Sequence, residues 1–161
     1  RNVPTTIWAR SAETVDEINS SRTNSRYLPG ARLTQGLRGT TSIEEAVRDA
    51  DVVVLGVPSQ SMRDTLREVA KYIRAWVPLI SLSKGFEQGT KLRMTEVIAE
   101  ELPGHPAGVL TGPNLAREIM GGFAAASVTR TALEPELRVE PRRPHSTATV
   151  YVPRSSTIRA L

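Results

Sequence analysis

Apolar and polar positions along residues 1–128 follow two alternating periods. Apolar runs of strand length lie at residues 3–9, 37–41, 52–57, 78–82, 107–110 and 123–128. Between most of these runs, apolar residues recur every three or four positions, as in a helix that buries one face. Strands that alternate with helices across short connections are typical of a parallel sheet covered by helices. We therefore predict an α/β fold.

Capping residues and apolar stripes place the predicted helices. Ser11 stands at the N-cap of the first helix, and Ser42 with Glu45 has the spacing of a capping box. Apolar stripes predict further helices over residues 59–74, 91–102 and 115–120. The unbroken run over residues 52–57, rich in valine, indicates a strand that is buried on both faces.

Residues 129–161 differ in composition from the rest of the chain. They contain no Gly, Asp, Asn, Gln, Lys, Phe, Trp or Met, and their prolines and arginines interrupt any helical period. Because no core-forming pattern remains, we expect a disordered or irregular C-terminal tail. The abrupt change suggests the hypothesis that this coding region is read in the wrong frame, which resequencing of the gene would test.

Composition narrows the classes of function. The 161 residues are 39% apolar and 24% charged, as in ordinary soluble globular proteins. The absence of cysteine excludes thiol chemistry and disulfides, and two histidines offer little for a catalytic metal. No apolar stretch reaches the roughly 20 residues of a membrane span, and no secretory signal opens the chain. We expect a cytoplasmic protein.

The net charge of +4 is concentrated in the tail. Residues 1–128 carry 15 Lys and Arg against 14 Asp and Glu, a net of +1, whereas residues 129–161 carry six Arg against three Glu, a net of +3. The body is nearly neutral and aromatic residues make up only 4% of the chain. We therefore do not expect nucleic-acid binding.

Three predicted strand-to-helix turns fall at the edge where parallel sheets bind ligands. They are Val57-Pro58-Ser59, Ser83-Lys84-Gly85 and Gly112-Pro113-Asn114. Lys84 is a cation placed to meet a phosphate or an alkoxide, although most lysines in such turns are solvated surface groups. Asn114 and the amides of its turn suit an anion, and the alternative is a plain helix cap.

Arg10 follows the first predicted strand. At this position of a nucleotide-binding sheet, an acidic residue selects NAD and an arginine accommodates the 2′-phosphate of NADP. Arg10 therefore favours NADP, while nearby Glu13 leaves NAD open. His105 lies in a loop and His145 in the tail, and since neither has a partner that makes it a general base, we expect both to be solvated.

Five motifs, in their order and separations, resemble the bacterial NAD(P)-dependent glycerol-3-phosphate dehydrogenases. They are Trp8-Ala9-Arg10, Tyr27-Leu28-Pro29-Gly30, Val57-Pro58-Ser59, Ser83-Lys84-Gly85-Phe86-Glu87 and Thr111-Gly112-Pro113-Asn114-Leu115-Ala116-Arg117-Glu118. The resemblance implies a partial, Rossmann-like NAD(P)-binding domain over residues 1–128, with a doubly wound parallel sheet. It also implies an oxidoreductase that interconverts sn-glycerol 3-phosphate and dihydroxyacetone phosphate for glycerophospholipid synthesis. The full-length enzyme would be a homodimer.

The resemblance assigns roles to individual residues. Those implied for the cofactor are Arg10, Tyr27, Pro58, Lys84 and Ala116. Those implied for the substrate are Lys84, Gly112 and Asn114. Arg10 and Tyr27 would face the adenosine phosphate, Lys84 would contact both ligands, and Ala116 would line the nicotinamide.

The chain also departs from the family's pattern. In the family, an opening strand and a glycine-rich turn precede the segment that begins here at Val3, and their loss would leave a seam of unpaired backbone groups in the sheet. The family's general acid/base lysine lies in a later helical domain, and this sequence has no lysine after Lys91. We expect no catalytic general acid/base in the chain, and an enzyme fragment without turnover.

Two other hypotheses remain open. In the first, the chain is a non-catalytic truncated remnant or an interaction module. In the second, the same nucleotide-binding sheet serves another substrate, as in ketopantoate reductases. The turns that carry Lys84 and Asn114 argue against the second, because they suit a small phosphorylated polyol.

Overall fold

The computed structural model describes residues 4–111, 127–131 and 158–160, which form one seven-stranded sheet with four helices. The strands are β1 (Thr5–Trp8), β2 (Leu37–Thr40), β3 (Val52–Leu55), β4 (Leu79–Ser81), β5 (Ala107–Thr111), β6 (Ser127–Thr131) and β7 (Ile158–Ala160). The helices are α1 (Ala12–Ser21), α2 (Ile43–Val47), α3 (Met62–Ala70) and α4 (Met94–Glu101), with a 3₁₀ turn at Ser59–Ser61.

The strand order is β2-β1-β7-β3-β4-β5-β6, and only the pairing of β6 with β5 is antiparallel. From the centre of the sheet the chain winds outward in two directions, through β1 to β2 on one side and from β3 through β4 to β5 on the other. This is the doubly wound arrangement. The predicted α/β fold with a doubly wound parallel sheet is confirmed.

β7 fills the centre of the sheet between β1 and β3. Ile158 pairs with Thr5 on one side and with Val52 on the other, and both pairings are parallel. The seam of unpaired groups that we expected there is therefore closed by a strand from the predicted tail. Three residues are too short to carry a recognisable period, so the sequence pattern did not predict this strand.

The apolar stripes that predicted the helices form the main core. Helices α2, α3 and α4 pack in that order against the side of the sheet to which Val53 and Leu55 point. The buried residues of this cluster are Ala46, Val47, Ala50, Val53, Leu55, Val57, Met62, Leu66, Val69, Val77, Leu79, Met94, Val97, Ile98 and Leu102. Val52 and Val54 are only half-buried, so the prediction that this strand is buried on both faces is wrong for the second face.

Both predicted N-caps are present. Ser11 Oγ accepts from the amide of Thr14 at 3.3 Å, and Ser42 Oγ accepts from the amide of Glu45 at 3.2 Å. The amide of Ser42 donates to Thr40 Oγ1 at 3.1 Å. The caps thus satisfy amides that the first turn of each helix leaves unpaired.

The ends of several elements differ from the predicted ends. The helix predicted over residues 59–74 begins as the 3₁₀ turn and ends at Ala70, where i→i+3 bonds tighten the last turn. The helix predicted from residue 91 begins at Met94, because the preceding residues form a small hairpin. Of the last strand predicted, over residues 123–128, residues 123–126 lie outside the described residues, and β6 spans Ser127–Thr131. The helix predicted over residues 115–120 lies outside the described residues.

Candidate functional site

The carboxyl ends of four parallel strands meet at one edge of the sheet. Leu55 pairs with Ser81, and Ser81 pairs with Val109, so β3, β4 and β5 end side by side. β1 reaches the same edge, because Ile7 and Val54 pair with the same residue of β7. In doubly wound sheets ligands bind outside this edge, near the point where the strand order reverses.

The turns after β3 and β4 are fastened to each other. The amide of Leu82 donates to the carbonyl of Leu55 at 2.9 Å, which extends the ladder beyond β4. Ser83 Oγ donates to the carbonyl of Val57 at 2.5 Å, next to the exposed Pro58. The structure thus brings the predicted residues Pro58 and Lys84 to neighbouring positions at the edge.

Lys84 is exposed and, within residues 4–111, makes no hydrogen bond or ion pair. The following residue, Gly85, has φ +97°, a conformation that favours glycine, and a Cβ there would meet no atom within 4 Å. Leu82 and Phe86 flank the lysine and are themselves 40% and 57% exposed. An exposed ammonium with exposed apolar residues two positions before and after it in the chain suits a ligand that has both an anionic and an apolar part.

Arg10 is a second exposed cation at the same edge. It directly precedes Ser11, the N-cap of α1, and it makes no ion pair with any described residue. Neighbouring strands lie about 4.8 Å apart, so three strand spacings place the end of β1 about 14 Å from the end of β4. Two exposed cations, Arg10 and Lys84, thus follow strands whose ends lie at the same edge of the sheet.

Tyr27 has no described contact with the residues at this edge. Its ring is 69% exposed, with the Arg26 guanidinium carbon 5.4 Å from the ring centre. Its loop is tied to α1 by Glu17, which accepts from the Ser25 amide and from Thr23 Oγ1, both at 2.8 Å. These bonds, the Ser25 amide first, lower the pKa of Glu17. No described contact joins Tyr27 to Arg10, and its role stays a prediction.

Three of the implied ligand residues, Gly112, Asn114 and Ala116, lie outside the described residues. His145 also lies outside them. His105 is half-buried, and its Nδ1 lies 2.9 Å from the carbonyl oxygen of Val77. The prediction that His105 is solvated is therefore wrong, because its ring joins the start of β5 to the start of β4.

Arg63 is a residue of this region that the sequence analysis missed. Its Nε and Nη2 lie 2.7 and 2.8 Å from the two carboxylate oxygens of Glu87, in the loop after β4. The side chains of Arg63 and Glu87 are only 20% and 13% exposed. The hydrogen bonds from Arg63, followed by that from Thr90, lower the pKa of Glu87 to about 2. The pair is separated by 24 residues, so no local spacing indicated it.

The described residues form neither a cluster of metal ligands nor a membrane-spanning helix. No group of three or more His, Asp or Glu side chains in the described part of the chain could hold a metal ion. Among the helices of this part, none has the length and apolar character to cross a bilayer.

The topology and the cationic edge define the class of doubly wound dinucleotide-binding domains. Within this class, the chain belongs to the family described as NAD-dependent glycerol-3-phosphate dehydrogenase N-terminus, whose sequence model matches residues 1–135. The chain is 56% identical over 134 residues to glycerol-3-phosphate dehydrogenase [NAD(P)+] 2 of Sphingopyxis alaskensis, and covers 40% of that protein from 83% of its own length. It is 54% identical to the Mycobacterium avium enzyme over 129 residues, which are 80% of this chain and 38% of the relative.

Solved structures give the same fold. Glycerol-3-phosphate dehydrogenase of Coxiella burnetii matches 81% of this chain and 47% of its own, with a TM-score of 0.73 at 22% identity. The Saccharomyces cerevisiae enzyme matches 84% of this chain and 40% of its own, with a TM-score of 0.69 at 27% identity. The chain thus spans less than half the length of each of these relatives.

Proposed function

We propose that this chain supplies the NAD(P)-binding part of a glycerol-3-phosphate dehydrogenase. The observation that carries the proposal is the free, exposed Lys84 at the ligand-binding edge, fastened beside the turn of Pro58. Family membership over residues 1–135 supports the same assignment. The reaction would interconvert sn-glycerol 3-phosphate and dihydroxyacetone phosphate, for glycerophospholipid synthesis.

Within this reaction, the residues of the chain bind and orient. The nicotinamide cofactor, when bound, supplies or accepts the hydride at C2 of the substrate. The Lys84 ammonium would stabilise the charge that develops on the C2 oxygen, because a fixed cation is most effective where charge appears. Gly112 and Asn114 would hold the substrate, and Ala116 would line the nicotinamide.

The residues assigned to the cofactor fall into two groups. Arg10 would meet the adenosine phosphate together with Tyr27, and Pro58 and Lys84 would meet the rest of the cofactor. We infer a preference for NADP over NAD from the free guanidinium of Arg10.

We further propose that the 161-residue chain does not turn over by itself. A general acid/base lysine beyond the nucleotide-binding domain is implied by the family resemblance, and the chain has no lysine after Lys91. A cytoplasmic location and a homodimer of the full-length enzyme remain proposals of the same kind.

The experiment compares two lysine variants of the full chain. NADPH and NADH are titrated by cofactor fluorescence against wild type, Lys84→Ala and Lys71→Ala. Lys71 is the matched control, since it pairs with Glu68 just beyond the end of α3, away from the ligand edge. We expect Lys84→Ala to weaken NADPH binding at least about tenfold, because a hydrogen bond to a charged group contributes about 1.5–3 kcal/mol.

The same samples are tested for NADPH oxidation with dihydroxyacetone phosphate. We expect no turnover, and tighter binding of NADPH than of NADH. Turnover above the Lys84→Ala variant would contradict the proposed inactivity. Equal affinity in the two lysine variants would contradict the role of Lys84 and would favour the non-catalytic hypothesis.

A further inference from the structure

The loop that carries Lys84 contains a small hairpin over residues 86–93. Phe86 and Arg93 form an antiparallel bridge, and the amide of Glu87 donates to the carbonyl of Leu92 at 2.9 Å. Gly89 and Lys91 have φ +89° and +63°, which turns the chain back on itself within a few residues. The hairpin is too short to be stable alone, so its position depends on what holds it.

Gln60 and Arg63 hold this hairpin from the side of α3. Gln60 Nε2 donates to the carbonyl of Phe86 at 3.0 Å, and Gln60 Oε1 accepts from the amide of Gln88 at 2.9 Å. Arg63 makes the two parallel bonds to Glu87 described above. A bidentate arginine–carboxylate pair fixes orientation as well as distance. Three consecutive hairpin residues are thus bound by two side chains.

Arg63 is itself held in place by α4. Its Nη1 and Nη2 donate to Glu101 at 2.5 Å and to Glu100 at 2.8 Å. These acceptors, with Glu87 first, raise the pKa of Arg63 above its already high range. Arg67 also binds Glu101, at 3.1 and 3.2 Å, but no described hydrogen bond or ion pair joins it to the hairpin, on which it acts through its charge at Glu87. The hairpin is therefore tied through one guanidinium to two helices.

These contacts leave Lys84 between two fixed points. On one side, Ser83 donates to the carbonyl of Val57. On the other, Phe86 is bound by Gln60. Only Lys84 and Gly85 lie between the two anchors, and both anchors attach to the segment formed by residues 57–63. The backbone of Lys84 is thereby confined, although its side chain has no described partner.

We propose that Gln60 and Arg63 are positioning residues, which hold the backbone of Lys84 at the ligand edge through the hairpin. This inference rests on the proposed function, because it assumes that Lys84 binds the anionic part of a nucleotide or of the substrate. A cation contributes more to affinity when the fold already holds it in place, because less entropy is then lost on binding. A bound ligand should therefore lose affinity when the hairpin is released, even though Lys84 itself is intact.

The test measures Lys84 directly in the full chain. Trace acetylation with acetic anhydride is read by mass spectrometry as the labelling of Lys84 relative to Lys71, with and without NADPH. Hydrogen exchange of peptides that contain residues 85–91 reports the order of the hairpin. Wild type is compared with Arg63→Lys, which keeps the charge and loses the fork, and with Arg67→Lys, the matched control on the same helix.

We expect NADPH to protect Lys84 but not Lys71 in wild type and in Arg67→Lys. In Arg63→Lys, the NADPH concentration needed for half-protection should rise at least about tenfold, and the hairpin should exchange faster. A merely structural loss would change labelling of both lysines or would appear equally in Arg67→Lys. Should Arg63→Lys fail to fold, Gln60→Ala replaces it, since this variant removes only neutral bonds to the hairpin.

Other outcomes separate the two proposals. Unchanged protection of Lys84 in both Arg63→Lys and Gln60→Ala would overturn the positioning role while the proposed function stands. No protection of Lys84 in wild type would contradict the proposed function instead. If Lys84 is not protected, hydrogen exchange still tests whether Gln60 and Arg63 order the hairpin. Unchanged exchange in both Arg63→Lys and Gln60→Ala would overturn this ordering role as well.

Discussion

Among single residues, Glu87 shows how the fold fixes the charge of one carboxylate. Its carboxylate receives two bonds from Arg63 and one from Thr90 Oγ1, at 2.6 Å, so its pKa falls to about 2. The group is therefore charged in the folded protein throughout the range in which an ordinary glutamate titrates. This carboxylate is also the group through which Arg63 binds the hairpin next to Lys84.

The lowered pKa of Glu87 predicts a pH dependence of stability. Because the folded state has the lower pKa, this contribution is fully present above about pH 5 and is lost as the pH falls towards 2. We expect Glu87→Gln to be less stable than wild type at pH 7 and to lose less stability between pH 5 and pH 3. Urea unfolding at pH 7, 5 and 3 measures the free energy of unfolding of both proteins. An equal loss of stability in the two proteins between pH 5 and pH 3 would contradict the prediction.

At the scale of elements, α1 approaches β2 closely because Gly39 has no side chain. A Cβ at Gly39 would lie 3.3 Å from both the Cα and the carbonyl oxygen of Val15. Asn19 of α1 then pairs with both backbone groups of Gly39, donating to its carbonyl at 3.0 Å and accepting from its amide at 2.8 Å. The Asn19 side chain thus provides hydrogen-bond partners for Gly39 on the side of β2 that faces no other strand.

This close contact predicts the effect of a single methyl group. Gly39→Ala should destabilise the protein by about 1–3 kcal/mol, because the new Cβ meets helix backbone that cannot rotate away. Thermal or urea unfolding measures the loss. An effect smaller than about 0.5 kcal/mol, the range of an ordinary surface substitution, would mean that α1 moves freely on β2.

Local patterns predicted most elements but not how they are joined. The caps at Ser11 and Ser42 and the apolar face of α3 were visible, because each depends on residues within a few turns. The hairpin after β4 was not, since it depends on Arg63 and Gln60, which are remote in sequence. The same holds for the candidate site: Pro58 and Lys84 could be predicted as turn residues, whereas the scaffold that confines Lys84 could not.

At the scale of the whole molecule, the C-terminal strand β7 lies between β1 and β3 and joins the two halves of the open sheet. Thr5 pairs with Ile158, and the other side of β7 pairs with β3. Every connection between the half formed by β1 and β2 and the half formed by β3, β4 and β5 within the sheet passes through β7. Such a long-range pairing closes a long loop, and the contacts of the whole sheet must offset the entropy lost in closing it.

Removing one backbone donor from β7 should therefore separate the two halves. Arg159→Pro deletes an amide in a central strand, where proline is essentially not found because it cannot donate to the ladder. The control Arg159→Ala keeps the amide. Hydrogen exchange at increasing urea concentration reports the two halves separately, through peptides from β1 and β2 and peptides from β3, β4 and β5. We expect coincident transitions in Arg159→Ala and an earlier transition for β1 and β2 in Arg159→Pro, because these two strands alone bury little apolar surface. Coincident, unshifted transitions in Arg159→Pro would mean that β7 does not join the halves and that the contacts of α2 with β1 and β2 are sufficient to do so.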